Sequence, residues 1–316
     1  YKLTQRANVI VESFRPGVMA DLGLDYETLE KINPGLIMTS ISSFGQTGPY
    51  RDFKASDLTL MSMGGLVHMC GDINREPITY GGSQAQYQGG TNAFTAIMIA
   101  LFYRSKSGEG QYIDISMLEC IASILEQFDH SFWTSGGVYD RSGPRWANIS
   151  PWGIYHCKDG YIGLVRSASI ARWWQFAEMM GKPELKDFKY VAMPSDPRER
   201  TLLMDEIDAT MYDWLMDHTV DEIYREGQSR GIPCAPVRNI KDLYEWCQMV
   251  ERGFFVEIDH PVAGKALYPG AMMKMTGIPM ETGRAPLLGE HNDEVYYKRL
   301  GYSKEDMAKM KENGVI

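Results

Sequence analysis

The sequence predicts an α/β protein: a large, Rossmann-like parallel-sheet domain followed by a smaller α+β domain. Three observations predict it. Strand and helix patterns alternate through residues 7–128, glycine-proline loops follow the strands directly, and the texture changes near Pro151 to a hairpin and amphipathic helices.

ANVIVES (7–13) reads as a short buried strand, YETLEKI (26–32) as a helix after the turn at Gly23, and GLIMTSIS (35–42) as the next strand. Strand, helix, strand at this spacing is a βαβ unit with parallel pairing and a right-handed crossover. Gly89–Gly90 are expected to open a helix, with Thr91 or Asn92 as N-cap, that runs to Lys106. GEGQ (108–111) turns the chain into the strand YIDIS (112–116), and MLECIASILEQF (117–128) is helical. Helices on both faces of a parallel sheet make it doubly wound.

IYHCKDGYIGLV (154–165) predicts a hairpin turning at Lys158-Asp159-Gly160. IARWWQFAEMM (170–180), RTLLMDEIDATMYDWLMDH (200–218) and VDEIYREGQSR (220–230) carry apolar residues at helical spacing, which is core packing. The expected layout is a large domain over 1–150, a small one over 151–262 and a tail over 263–316. The tail holds a loop, GRAPLLGEHNDEV (283–295), and a final polar helix.

The 316 residues carry 32 Lys and Arg against 41 Asp and Glu, a net charge of −9. That balance argues against nucleic acid or an anionic membrane as the main partner, while leaving room for a local basic pocket. No apolar run approaches the ~20 residues of a membrane span; the longest lies around Phe94–Tyr103. The opening YKLTQRANVIVES reads as the inside of a fold and predicts residues upstream. The five cysteines are widely spaced without a CxxC pair, which reads as buried free thiols in a reducing cytoplasm. The six histidines form no HxxxH, and no metal site is expected.

No GxSxG, P-loop or GxGxxG is present. Attention therefore falls on the loops that follow the strands, where open α/β sheets bind ligands. SFRPGV (13–18) offers Arg15, and SSFGQTGPYRDFKASD (42–57) offers Arg51 and Lys54. Two basic loops on one sheet edge suit an anionic ligand. Asp57, Asp72, Asp114 and Glu119 are the acids of interest, with helix or loop capping the plainer role for Asp114 and Glu119. SQAQYQGGTN (83–92) places Gln84, Gln86 and Gln88 in a stretch without any acid or base. Trp133, Trp146 and Trp152 near the domain join hint at a bulky acyl group, against the plainer reading of packing.

Four stretches carry a resemblance: VIVESFRPGVMADLGLDYETLEKINPGLIMTSISSFGQTGPY (9–50), SGEGQYIDISMLE (107–119), RGIPCAPV (230–237) and RAPLLGEHNDEV (284–295). In order and spacing the chain resembles the class III CoA-transferases, the family of formyl-CoA and carnitine CoA-transferases. The resemblance implies CoA thioesters and organic acids as substrates, no metal, and a large domain built from both chain ends. It also implies two chains interlocked like links, as a homodimer or as a heterodimer with a homologous chain, and an N-terminal stretch of sheet that this sequence lacks.

Carried over by position, Phe14, Arg15, Pro16, Gly17 and Val18 match the loop beside which CoA lies, Leu22 an apolar contact, and Lys54 a lysine that approaches CoA. An arginine common in the family is Asp21 here, which moves the expected phosphate contact to Arg15 or Arg51. Family enzymes attack the thioester with an aspartate, forming a mixed anhydride and then an enzyme–CoA thioester. That aspartate aligns with Gln86, and no Asp or Glu lies between Glu76 and Glu109. An amide has no anionic oxygen and cannot form this relay.

Three readings stay open. The chain is the non-nucleophilic member of a two-subunit transferase, such as benzylsuccinate CoA-transferase resembles; or another acid, Glu119 or Asp57, substitutes; or the chain handles a CoA ester without an enzyme carboxylate, as an isomerase or a silent binding and scaffolding subunit. The racemase branch of the family uses a G-H-D-like segment, and Ala55-Ser56-Asp57 lacks its histidine. The first reading is the expectation.

Overall fold

Parallel pairing organises the N-terminal half. β1 (Val9–Glu12), β2 (Ile37–Ser42) and β3 (Gln111–Ser116) form a sheet in that order, with Val9 opposite Ile37 and Ile37 opposite Gln111. Between β1 and β2 come α1 (Val18–Asp21) and α2 (Tyr26–Glu30); between β2 and β3 come α3 (Asp57–Met63) and α4 (Gln84–Ser107). The computed structural model describes residues 1–146, 149–166 and 169–316.

Side chains alternate across a strand, so parity assigns the faces. Met38 packs with Leu29 of α2 in one core cluster. Ile41, of opposite parity, approaches Gly89 of α4 from the other side. Helices thus cover both faces, as the alternating pattern predicts. Arg104, near the end of α4, donates to the carbonyls of Asn8 and Gly35 at 3.1 and 2.8 Å, pinning the helix to the strand starts. Gly110 allows the close return into β3: a Cβ there would lie 2.0 Å from the Leu36 carbonyl oxygen.

The expected start of α4 needs correction. The helix begins at Gln84, with Ser83 as N-cap, and runs straight through Gly89–Gly90. Glycine is a poor helix former, but a Cβ at Gly89 would meet Met117 Cγ at 2.8 Å, so packing selects the residue. Thr91 and Asn92 bond back to Tyr87 and Gln88 carbonyls within the helix instead of capping it. The helical stretch after β3 is also divided, into α5 (Met117–Ser123) and α6 (Glu126–Ser135).

The hairpin is β4 (Trp152–Cys157) and β5 (Gly160–Val165), with Gly160 already paired to Cys157, so the turn itself is Lys158-Asp159. Helices α7 (Ile170–Met179), α8 (Phe188–Val191), α9 (Pro197–Asp217) and α10 (Val220–Ser229) follow, and β6 (Cys234–Pro236) joins β5. Trp173, Phe176, Ile207, Met211 and Ile223 bury their apolar faces against Ile162 and Leu164 of the hairpin. The Trp173 indole N–H donates to the Leu185 carbonyl at 2.7 Å, which satisfies its one polar atom. Trp146 and Trp152 stack with centroids 5.9 Å apart, whereas Trp133 is exposed. Cys120, Cys157 and Cys234 are buried free thiols that burial pushes above the ordinary range; Cys70 is half-buried and Cys247 exposed, so the expectation of burial holds for three of the five.

These elements belong to one compact unit, Tyr1–Ala235; a second unit is Pro236–Ile316. The second contains α11 (Ile240–Glu245), α12 (Cys247–Glu251), the antiparallel pair β7 (Phe255–His260) and β8 (Gly264–Pro269), a π-helical stretch Asp293–Arg299, and α13 (Lys304–Glu312). Among the described residues no helix is long and apolar enough to cross a membrane.

The RAPLLGEH stretch is tied by Arg284, which makes two bonds to the Glu290 carboxylate, while the Leu287 N–H donates to the same group at 2.7 Å. The Arg284 bond, then the Leu287 N–H, hold the Glu290 carboxyl down at about 2. A depressed acid contributes stability at pH above its ordinary range and loses it as pH falls through the folded value. An NMR titration should therefore find Glu290 charged until about pH 2, and Arg284→Ala should return its midpoint towards the ordinary glutamate range. A wild-type midpoint near 4.3 would contradict the pairing.

Candidate functional site

The strands of the parallel sheet end in two loops that bend toward each other. β1 runs into Ser13–Gly17, where the Glu12 carboxylate accepts from the Phe14 N–H at 2.7 Å and fixes the exit. Gly17, with φ of +94°, turns the chain into α1, a conformation that disfavours any side chain. β2 runs into residues 43–54, where Gly45 and Gly48 also take positive φ. Asp114 on β3 accepts from the Gln46 N–H at 2.9 Å, so its capping role is realised on this loop. Tyr50 and Phe53 stack at 4.8 Å and Phe44 meets both edge-on, which stiffens the loop.

Between the loops lies an open cavity of about 650 Å³. Phe14, Arg15, Pro16 and Val18 line it from the first loop, Arg51 and Phe53 from the second. Gln86 and Gly90 of α4 and Met117 of α5 line it from the helices. The loops touch across it: a Cβ on Gly17 would sit 3.6 Å from an Arg51 terminal nitrogen. Arg51 Nε is 3.9 Å from Asp52, too far for a hydrogen bond, and is buried without a partner. An unsatisfied guanidinium nitrogen beside a cavity is a donor awaiting an acceptor. Asp21 and Asp52 also line the space, so the formal charge of its four ionisable side chains balances.

Only one of the three glutamines lines the cavity. Residues two apart on a helix point away from each other, and Gln84 instead donates to the Gly81 carbonyl at 2.8 Å. Gln86 occupies the third position of α4. Its backbone N–H and that of Ala85 donate to Asp57 Oδ1 at 3.3 and 2.9 Å. Ser83, the local N-cap, makes no such bond. Asp57 thus caps α4 from another helix, a role no local pattern reveals because the residues lie 29 positions apart.

The other expected residues are placed differently. Gly17 borders an adjoining recess of about 430 Å³ that shares Arg15 and Arg51 and is walled by Met38 and Tyr112. Leu22 and Lys54 are exposed and line neither space. Glu119 lines a separate recess of about 260 Å³ together with Asp114 and Tyr50. Ser42, Ser43 and Met117 line the main cavity without any sequence signal beyond following a strand.

The arrangement can take a long ligand with an anionic end at the arginines and an uncharged, hydrogen-bonding end at Gln86. Known proteins resemble this chain over its whole length. The succinyl-CoA–D-citramalate CoA-transferase of Chloroflexus aurantiacus is 28% identical over 316 residues, covering 100% of this chain and 78% of that protein. The alpha subunit of succinyl-CoA–L-malate CoA-transferase from the same organism is 27% identical over 317 residues, covering 100% of this chain and 73% of that protein. The crystal structure of a CAIB/BAIF family protein from Brucella suis superposes with a TM-score of 0.78 at 27% identity, over 94% of this chain and 77% of that one. Residues 1–292 match the family described as CoA-transferase family III. The chain belongs to CoA-transferase family III.

Proposed function

We propose that this chain is one subunit of a transferase that moves CoA between organic acids, and that a homologous partner supplies the nucleophilic aspartate. The observation that carries the reading is Gln86 lining the same cavity as Arg15 and Arg51. The arginines suit the phosphates of CoA, and the cavity suits the chain that leads to the thioester. The Gln86 amide can donate to a thioester carbonyl or a carboxylate but cannot attack it. A partner aspartate would attack the acyl carbon and expel the CoA thiolate. The thiolate would then take the aspartyl carbonyl and release the donor acid.

Two further features support a partner. α4 carries exposed apolar side chains, with Phe94, Met98 and Phe102 at i, i+4 and i+8 between 49% and 65% exposed, joined by Ile99 at 66%. Such a stripe marks a surface that another chain covers. One relative is itself named as an alpha subunit. The names of the relatives make succinyl-CoA the donor to try, with hydroxy-dicarboxylates as acceptors.

The test is to purify the chain with and without a homologue carrying aspartate at the position of Gln86, add succinyl-CoA and candidate acids, and weigh the intact chains. The chain alone should bind CoA without a covalent adduct or turnover, and the pair should turn over with the adduct on the partner. An enzyme–CoA adduct on this chain alone would overturn the reading. Binding without turnover in every pairing would leave a silent scaffolding subunit in its place.

A further inference from the structure

Asp57 sits on α3, outside the cavity, yet one of its oxygens reaches the backbone of residue 86. Oδ1 accepts from the Ala85 and Gln86 backbone N–H groups, and Oδ2 is buried with no hydrogen-bond partner. The first turn of α4 contains no acidic residue and its own N-cap side chain makes no bond, so the start of this 24-residue helix is held by a residue from elsewhere in the chain. Ala85 beside it is fully buried against Leu60, Met61 and Ile121. A helix start so clamped has little freedom to shift, and Gln86 stands on its cavity side.

We propose that Asp57 is a positioning residue for Gln86, fixing the height at which the Gln86 carboxamide meets the thioester end of the ligand. The inference rests on the reading of the cavity as an acyl-CoA site. Asp57 acts by accepting the two backbone N–H groups, so the role belongs to an oxygen at that place and not to a nucleophilic carboxylate. A buried unpaired carboxylate oxygen is costly, and that cost is borne where precision at residue 86 matters.

Binding of two ligands to the full chain separates this role from a general structural one. Succinyl-CoA reaches both ends of the cavity; adenosine 3′,5′-bisphosphate carries only the anionic end. Asp57→Ala frees the start of α4 and should weaken succinyl-CoA binding by roughly tenfold, about 1.4 kcal/mol, and leave the bisphosphate unchanged. In a Gln86→Ala background the same substitution should cost succinyl-CoA binding nothing more, because residues that act through one another are not additive. Asp57→Asn keeps an acceptor at the cap and should bind within about twofold of wild type. Asp57→Ser, whose oxygen is too short to reach, serves in place of alanine if that variant does not fold.

An equal loss for both ligands, an additive loss in the Gln86→Ala background, or no loss in either the alanine or the serine variant would overturn the positioning role. Loss of binding in Asp57→Asn as severe as in Asp57→Ala would overturn it in favour of a carboxylate acting directly. Failure of wild type to bind either ligand would overturn the acyl-CoA reading and this inference with it.

Discussion

The double variant Arg15→Ala/Arg51→Ala should weaken CoA binding by at least roughly a hundredfold, since each charge-assisted bond to a phosphate contributes about 1.5–3 kcal/mol. The low end of that range applies to Arg51, whose side chain is 40% exposed and sees Asp52 at 3.9 Å. Asp21, on the same cavity, works against an anion, so Asp21→Arg should move the affinity the other way. Calorimetry at two ionic strengths checks both. The wild-type affinity should fall as salt rises, because exposed charges are screened beyond about 8–10 Å, and the double variant should lose most of that dependence. An affinity unchanged by removing both arginines would place the phosphates elsewhere.

Local pattern reads this fold well wherever local chemistry decides it. β2 and β3 emerge within two residues of their expected bounds because short apolar runs between turns have few other uses. α10 is legible from its capping box, Thr219 with Glu222, and from the left-handed Gly231 that follows it. α4 is where local pattern misleads. Its glycine pair reads as a boundary, yet the two glycines do different work: Gly89 admits Met117 and Ile41, while nothing lies within 4 Å of a Cβ on Gly90, which faces the cavity. The true start depends on Asp57, and no window of sequence around Gln84 contains it.

The cavity shows the same division. Arg15 and Arg51 are readable because ligand loops follow parallel strands. That Lys54 stands outside and Phe53 inside follows from how Tyr50 and Phe53 stack, which is a three-dimensional fact. Glu119 follows β3 as Gln86 follows the long loop, and the two line separate recesses.

The largest change in chemistry is expected from a single substitution, Gln86→Asp, which also shortens the side chain by one methylene. The substitution replaces a neutral amide by a carboxylate at the third residue of α4, on the side that lines the cavity. A helix start favours negative charge by about 0.3–1 kcal/mol, but Asp57 already satisfies two of its N–H groups, so two carboxylates then share one helix end. A carboxylate lining the cavity can attack a thioester carbonyl, so the variant should gain a covalent CoA adduct with succinyl-CoA where wild type forms none. Mass spectrometry of the intact chain, with hydroxylamine to cleave any acyl or thioester link, measures it. A Gln86→Asp chain that binds succinyl-CoA as tightly as wild type and stays free of adduct would show that residue 86 is not where the nucleophile of the family stands. The cavity would then remain a CoA site, and the missing carboxylate would have to be sought on another element.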